Sequence, residues 1–156
     1  MADHVQQQIL EAVQTALVAA ATAASTRVYL DRVNELPQAN LPAIDILGPN
    51  DAGEESIEHV TMGWPPVQQR SYRFSIASVT QGASGSPAAS RNLAKQVEQA
   101  LMASLGAITL GTSAIDLRLE SSAEQKDGAA SLPLFAVSQS WRASYHTLAG
   151  TPDAVY

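Results

Sequence analysis

A chain of 156 residues with 46% hydrophobic and 15% charged residues is long enough for one domain with a packed core. Its formal net charge of −6, with only nine Lys and Arg residues and no basic cluster, argues against a nucleic-acid-binding protein, because such proteins gain affinity through cationic contacts to phosphates. The absence of cysteine excludes disulfides and thiolate chemistry. Residues 16–21 (ALVAAA) are the longest apolar run near the N-terminus, far short of a membrane span, so we expect a cytoplasmic protein where it is made.

The first predicted element is an amphipathic helix that fades by Ser25, with Asp3 as a plausible N-cap. Its apolar residues recur at every fourth position: Val5, Ile9, Val13 and Leu17. Strands are predicted over residues 27–33 and 42–47. Pro37 and Pro42 lie between them, and because proline fixes φ and donates no backbone hydrogen bond, we expect an extended connection.

The middle of the chain predicts strands and a second helix. A turn-forming run at 48–53 precedes a short polar strand over 54–61. Residues 67–79 are the longest strand candidate, with one apolar face: Tyr72, Phe74 and Ile76. The second helix is predicted over 90–105, and its apolar stripe comprises Leu93, Val97, Ala100, Leu101 and Leu105.

The C-terminal third predicts two more strands and a tail. The first strand shows a clear alternation: Ile115, Leu117 and Leu119. A polar loop is expected over 121–131 and a last strand over 134–145, with one apolar face: Phe135, Val137, Trp141 and Tyr145. Residues 148–156 lack periodicity, so we expect a mobile or interface-forming tail.

This order predicts an α+β fold with a mixed, largely antiparallel sheet and two helices packed on one face. We expect a single domain over residues 1–147, followed by the C-terminal tail at 148–156.

Motifs of catalysis, metal binding or cofactor binding are missing from the sequence. The segment at 82–86 departs from Gly-x-Ser-x-Gly by one position, and no phosphate-binding glycine loop occurs. His59 and Glu58, with the nearby carboxylates of Asp51, Glu54 and Glu55, could gather a cation, and the alternative is a solvated acidic hairpin. We therefore predict a protein that is not an enzyme, with no catalytic, metal or cofactor site.

Four side chains raise the question of an interface. Arg70 and Arg73 lie on the longest strand, where they either meet a carboxylate of a neighbouring subunit or act as edge-strand charges that discourage aggregation. Trp141 fits the apolar face of the last strand and is expected in the core. Trp64, between a glycine and two prolines, is expected to be partly exposed and to anchor an interface.

An excursion at residues 48–63 completes the candidate interface. It carries few apolar residues and four carboxylates: Asp51, Glu54, Glu55 and Glu58. Carboxylates resist burial without partners, so we expect the excursion to be flexible in the free protein and to become ordered on assembly.

Several segments, in this order, resemble the tail-terminator (tail-completion) proteins of long-tailed phages, the lambda minor tail protein U type. The resemblance spans roughly residues 5–147 and rests on order and pattern. The segments are Arg27-Val28-Tyr29 after the helix, Arg32…Glu35-Leu36-Pro37, Leu41-Pro42-Ala43-Ile44, Tyr72-Arg73-Phe74-Ser75-Ile76, Leu93…Val97-Glu98…Leu101, and Phe135-Ala136-Val137…Trp141-Arg142-Ala143-Ser144-Tyr145.

The resemblance implies a homo-hexameric ring that sits on the last ring of the tail tube, stops its polymerisation and presents a docking surface for the head–tail connector protein. It also implies a place in the virion, with DNA sliding through the ring without specific binding, and no membrane partner. Two alternatives stay open. One is another neck or connector ring protein, and the other is a small α+β enzyme with a pocket of perturbed carboxylates or histidines.

Overall fold

The structure is a computed structural model that describes residues 4–32, 34, 37–48, 56–82, 87–103, 108–110, 113–128 and 133–156. Within these residues the elements are, in chain order, α1 Val5–Ala19, β1 Val28–Leu30, a 3₁₀ turn Gln38–Asn40, β2 Ala43–Leu47, β3 Ser56–His59, β4 Val67–Gln81, α2 Pro87–Ala103, β5 Thr109–Leu110, β6 Ser113–Ala114, β7 Asp116–Asp127 and β8 Leu134–Leu148.

A six-stranded sheet forms the frame of the molecule, and its two central strands are β4 and β8. These strands pair antiparallel along their full length, from Val67 opposite Leu148 to Gln81 opposite Leu134. β7 pairs antiparallel with the far edge of β8. The other edge of β4 is shared: β3 pairs with its first part and β2 with its second part, both antiparallel, while β1 pairs parallel with β2. The predicted α+β fold with a mixed, largely antiparallel sheet is confirmed.

The core lies between the helices and one face of the sheet. Strand side chains alternate between faces, and β4 and β8 each bury every second residue on the same side. Tyr72, Phe74 and Ile76 pack there together with Trp141 and Tyr145, as predicted. Ala100 of the predicted second stripe is partly buried against this cluster, and Leu105 lies outside the described residues. The other residues of the two predicted stripes belong to the cluster: Val5, Ile9, Val13, Leu17, Leu93, Val97 and Leu101. Each such aliphatic side chain contributes about 1.5–3 kcal/mol on full burial.

The opposite face of the sheet, called here the open face, carries small and polar side chains. Its members on the two central strands include Ser71, Ser75, Ala77, Ser138, Ser140 and Ser144, and all of them are half-buried. Both described helices pack on the other side, so the open face is not covered by a helix from the described part of the chain. Neither of these helices is long and apolar enough to cross a membrane.

Helix boundaries differ from the prediction at both N-termini. The N-cap of α1 is His4 rather than Asp3, which lies outside the described residues, and the His4 ring Nδ1 accepts a hydrogen bond from the Gln6 backbone N–H at 3.2 Å. α2 begins at Pro87, three residues before the predicted start. Proline suits the first turn of a helix because its missing N–H has no intrahelical partner there.

The connection between β1 and β2 is not extended throughout, contrary to the prediction. The Asn40 N–H donates to the Pro37 carbonyl at 2.9 Å and closes the 3₁₀ turn. β1 also ends at Leu30, earlier than predicted, because Asp31 adopts a positive φ of 44° that leaves the strand conformation. The Asp31 side chain accepts a hydrogen bond from the Gly48 N–H at 2.7 Å, which ties the end of β1 to the end of β2.

The predicted polar loop at 121–131 is wrong over most of its length. β7 continues to Asp127, and residues 121–127 pair with β8 from Ser140 to Leu134. The side chains from Glu120 to Asp127 are all exposed, so this part of the strand has no apolar alternation to read. Its strand conformation comes from backbone hydrogen bonds to β8, which do not depend on side-chain hydropathy.

The tail, predicted to be mobile or interface-forming, is docked on the domain, and an interface role stays a prediction. The Val5 N–H donates to the Pro152 carbonyl at 3.0 Å, and the Tyr156 N–H donates to the His146 carbonyl at 2.8 Å. Val155 packs against the core cluster. The tail therefore caps the start of α1 and belongs to the packed domain.

Candidate interaction surface

Residues 56–66, called here the arm, project from the start of β4. β3 pairs with β4 from Ser56 opposite Ser71 to His59 opposite Gln68. The ladder continues beyond β3, since the Val60 N–H donates to the Val67 carbonyl and the Val67 N–H donates to the Thr61 hydroxyl, both at 2.9 Å. The arm therefore has a defined backbone conformation in the single chain.

Apolar exposure is concentrated in the arm. The described residues include six exposed large hydrophobic side chains, and four of them lie here: Ile57, Val60, Met62 and Trp64. The exposed fraction is 95% for Trp64, against 0% for Trp141. A concentration of large, exposed apolar side chains on one short segment is a feature of interaction sites. The predicted exposure of Trp64 and burial of Trp141 are confirmed, whereas the role of Trp64 as an interface anchor stays a prediction.

The carboxylates of the predicted acidic excursion are described only in part. Glu58 lies on β3 opposite Gln69 and points to the open face. Asp51, Glu54 and Glu55 lie outside the described residues. The expected flexibility of the free protein does not extend to residues 56–61, which pair with β4 in the single chain. Residues 49–55 lie outside the described residues, so their ordering on assembly stays a prediction.

Arg73 lies in a row of arginines on the open face. The registers place Arg73 opposite Arg142 and Arg142 opposite Arg118 across three strands, and like charges at such positions repel. Glu120 lies at the register shift in β7 and contacts two of them, with 2.8 Å to Arg73 Nε and 3.2 Å to Arg142 Nε. Arg118 pairs with Asp116 at 2.9 Å. Arg73 thus meets a carboxylate of its own chain.

A shallow depression of about 280 Å³ on the open face adjoins this row. Its lining combines two arginines and two carboxylates with neutral polar side chains, so its formal charge is balanced. The lining residues are Ser56, Glu58, Gln69, Ser71, Asp116, Arg118, Arg142 and Ser144.

Arg70 occupies the other face of the sheet. It is buried, with 8% of its surface exposed, and its Nη2 donates to the Gln68 side-chain oxygen at 3.0 Å. β4 is a central strand with partners on both edges, so the alternative that Arg70 and Arg73 are edge-strand charges is wrong. Because Arg70 is buried in the packed chain, it offers little surface to a neighbouring subunit.

A groove between the end of α1 and the middle of α2 was not predicted from the sequence. It measures about 540 Å³ and is lined by small and amide side chains: Ala20, Ala21, Thr22, Ala23, Gln96, Gln99 and Ala100. The Ala23 N–H donates to the Gln96 side-chain oxygen at 2.8 Å and fixes one wall. The available signal was the alanine-rich run after α1, which leaves space where larger side chains would pack.

Two bidentate ion pairs join charged side chains in the described part of the chain. Asp45 accepts two hydrogen bonds from Arg32, at 2.7 and 3.1 Å, and this pairing raises the pKa of Arg32. Glu124 accepts two from Arg91, at 2.5 and 2.8 Å, which lowers the pKa of Glu124. Among the described residues, no three His, Asp or Glu side chains converge as metal ligands. In both pairs one arginine donates two hydrogen bonds to the carboxylate, as in structural salt bridges.

Comparisons with known proteins bear on the fold. No family model matches the chain, and no curated protein matches it. Among solved structures, the chain is similar to a chain of the virion of a native gene transfer agent (GTA) particle, with a TM-score of 0.52 and 18% sequence identity. The match covers 90% of this chain and 95% of that chain. At this identity the likeness shows a shared fold over nearly the whole of both chains.

Proposed function

We propose that this protein is a structural component of a phage-like virion, and that it acts as a ring that caps the completed tail tube. The observation that carries the proposal is the fold shared, almost end to end, with a chain of a GTA virion. The order of sequence segments that resembles the phage tail terminators supports the same assignment. In this role the ring, a homo-hexamer, contacts the tail tube protein on one side and the head–tail connector protein on the other.

Capping has a simple physical basis. A tube grows because the top of each ring matches the bottom of the next, and such a head-to-tail contact does not close by itself. A terminator matches the tube on one side only and thereby stops growth. The exposed apolar arm suits a protein that works in an assembly, because its side chains gain partners only from another chain.

The proposed role is mechanical rather than catalytic. A ring on the tail must let DNA pass without binding it tightly, and a net charge of −6 suits such a bore. Gel shift with duplex DNA at low salt, where electrostatic binding is strongest, should show no tight complex. Tight binding there would contradict the proposed passage of DNA.

Negative-stain microscopy and light scattering of the purified protein, alone and mixed with tail tubes, test the proposal. We expect closed rings, either free or at one end of each tube. A strict monomer under both conditions would overturn the ring. The alternative of a neck or connector ring predicts copurification with portal-filled heads instead of tail tubes, and the alternative of an enzyme predicts turnover of a small molecule without any assembly.

A further inference from the structure

We infer that the arm of one copy docks into the α1–α2 groove of a second copy, with Trp64 as the inserted side chain. The groove is the 540 Å³ depression lined mainly by alanines described above. The inference deepens the proposed function and rests on it, because it names the two surfaces that join neighbouring subunits of the ring.

The backbone conformation of the arm is already defined in the single chain. Its backbone is held by β3–β4 pairing and by the two hydrogen bonds that join Val60 and Thr61 to Val67. Met62 and Trp64 stay in water even though the chain has an apolar core nearby. An anchor held in its binding conformation loses little entropy on docking, and a buried tryptophan removes about 150–250 Å² from water.

The groove offers what such a side chain needs. Alanine side chains from both walls leave room for a large ring. The Gln99 amide on the rim can accept a hydrogen bond from the indole N–H, which requires a partner when buried.

One chain cannot fill its own groove. α1 begins beside the base of the arm, since the Val5 N–H contacts the Pro152 carbonyl and the Ala149 N–H contacts the Pro66 carbonyl. The groove lies at the other end of this 15-residue helix, about 22 Å away at 1.5 Å per residue. The β3 register also directs the tip of the arm beyond Val67, away from the rest of β4.

The contact joins two different surfaces, and this has a consequence for assembly. Heterologous contacts generate closed rings when the rotation between copies closes, whereas a self-complementary contact would stop at a dimer. The arm and the groove therefore supply the kind of interface that a ring requires.

The cysteine-free sequence allows a direct test by disulfide trapping. The double variant Gly63→Cys/Gln99→Cys places one thiol at the tip of the arm and one on the rim of the groove. Gly63 tolerates a side chain, because an added Cβ would meet nothing within 4 Å. The matched control, Gly128→Cys/Gln99→Cys, moves the first thiol to the β7–β8 end, where an added Cβ is equally free.

Under mild oxidation we expect the arm variant to form a disulfide ladder beyond the dimer at least about tenfold faster than the control. A second measurement does not depend on disulfide geometry. Ala23 is exposed, so Ala23→Arg fills the groove and should weaken self-association as strongly as Trp64→Ala. Combining Ala23→Arg with Trp64→Ala should cause no further loss, because both remove the same contact. Ala88→Arg, an equally exposed position on α2, should not.

The outcomes separate the inference from the proposed function. Rings that form normally, with no excess ladder and no effect of Ala23→Arg, would overturn the arm–groove contact and leave the ring standing. Trapping of the Gly63→Cys arm by the tube protein instead of by a second copy would also overturn it. The absence of any oligomer, with or without tubes, would overturn both.

Discussion

Trp64→Ala should separate assembly from folding. Trp64 is 95% exposed in the single chain, so its truncation removes almost no buried surface. The free energy of unfolding of the monomer should change by less than about 0.5 kcal/mol, as is usual for surface substitutions. The control is Trp141→Ala, whose side chain is fully buried and whose loss should cost about 3–5 kcal/mol.

The expected effect on association follows from the surface area of Trp64 that is removed from water on docking. About 150–250 Å² at about 25 cal/mol per Å² gives an upper limit of about 4–6 kcal/mol. Ordering of side chains reduces this value, and aromatic anchors at interfaces typically contribute about 2–4 kcal/mol. Since each 1.4 kcal/mol is tenfold in Kd, Trp64→Ala should weaken association by roughly 30- to 700-fold.

Urea denaturation at a concentration where the protein is monomeric gives the first quantity, and sedimentation or light scattering across a concentration series gives the second. Tryptophan fluorescence adds a third readout, because the emission of Trp64 should shift to the blue on assembly while the buried Trp141 should not change. Assembly of Trp64→Ala at the level of the parent protein, or its unfolding at markedly lower urea, would contradict an anchoring role for Trp64.

Three further predictions concern the packed domain. Asp45→Asn should lower the free energy of unfolding by about 1–3 kcal/mol in urea denaturation, because it leaves the partly buried Arg32 guanidinium without its charged partner, and an unchanged midpoint would contradict this. Arg91→Gln should raise the pKa of Glu124 towards its usual value of about 4.3 in a carboxyl NMR titration. The pKa of Glu124 is lowered in the fold, so the stabilisation by this pair should be present above the usual value and fade as the pH falls through the lowered one, and a curve that Arg91→Gln leaves unchanged would refute it. Deletion of residues 152–156 should destabilise the domain by about 1–3 kcal/mol through the loss of the cap on α1, whereas a freely mobile tail would leave stability unchanged.

The sequence alone determined the elements whose stability depends on their own pattern. α1 and α2 show helical spacing of apolar residues, and the faces of β4 and β8 alternate between buried and half-buried positions. These patterns predict the elements because the apolar side chains of each element must face one common core. The placement of Trp141 in that core and of Trp64 in water follows from the same pattern and from the glycine and prolines beside Trp64.

The tertiary structure decided what depends on distant partners. The second half of β7 is a strand because β8 supplies its hydrogen bonds, and the C-terminal tail is ordered because it caps α1. Arg70 and Arg73, three residues apart on one strand, have different environments because their side chains point to opposite faces of the sheet. The alternative of edge-strand charges failed because the order in which strands pair, which places β4 at the centre, is a property of the tertiary structure. The groove arises where the end of α1 meets the middle of α2. No local sequence pattern encodes this contact, since it is set by packing between segments more than 70 residues apart.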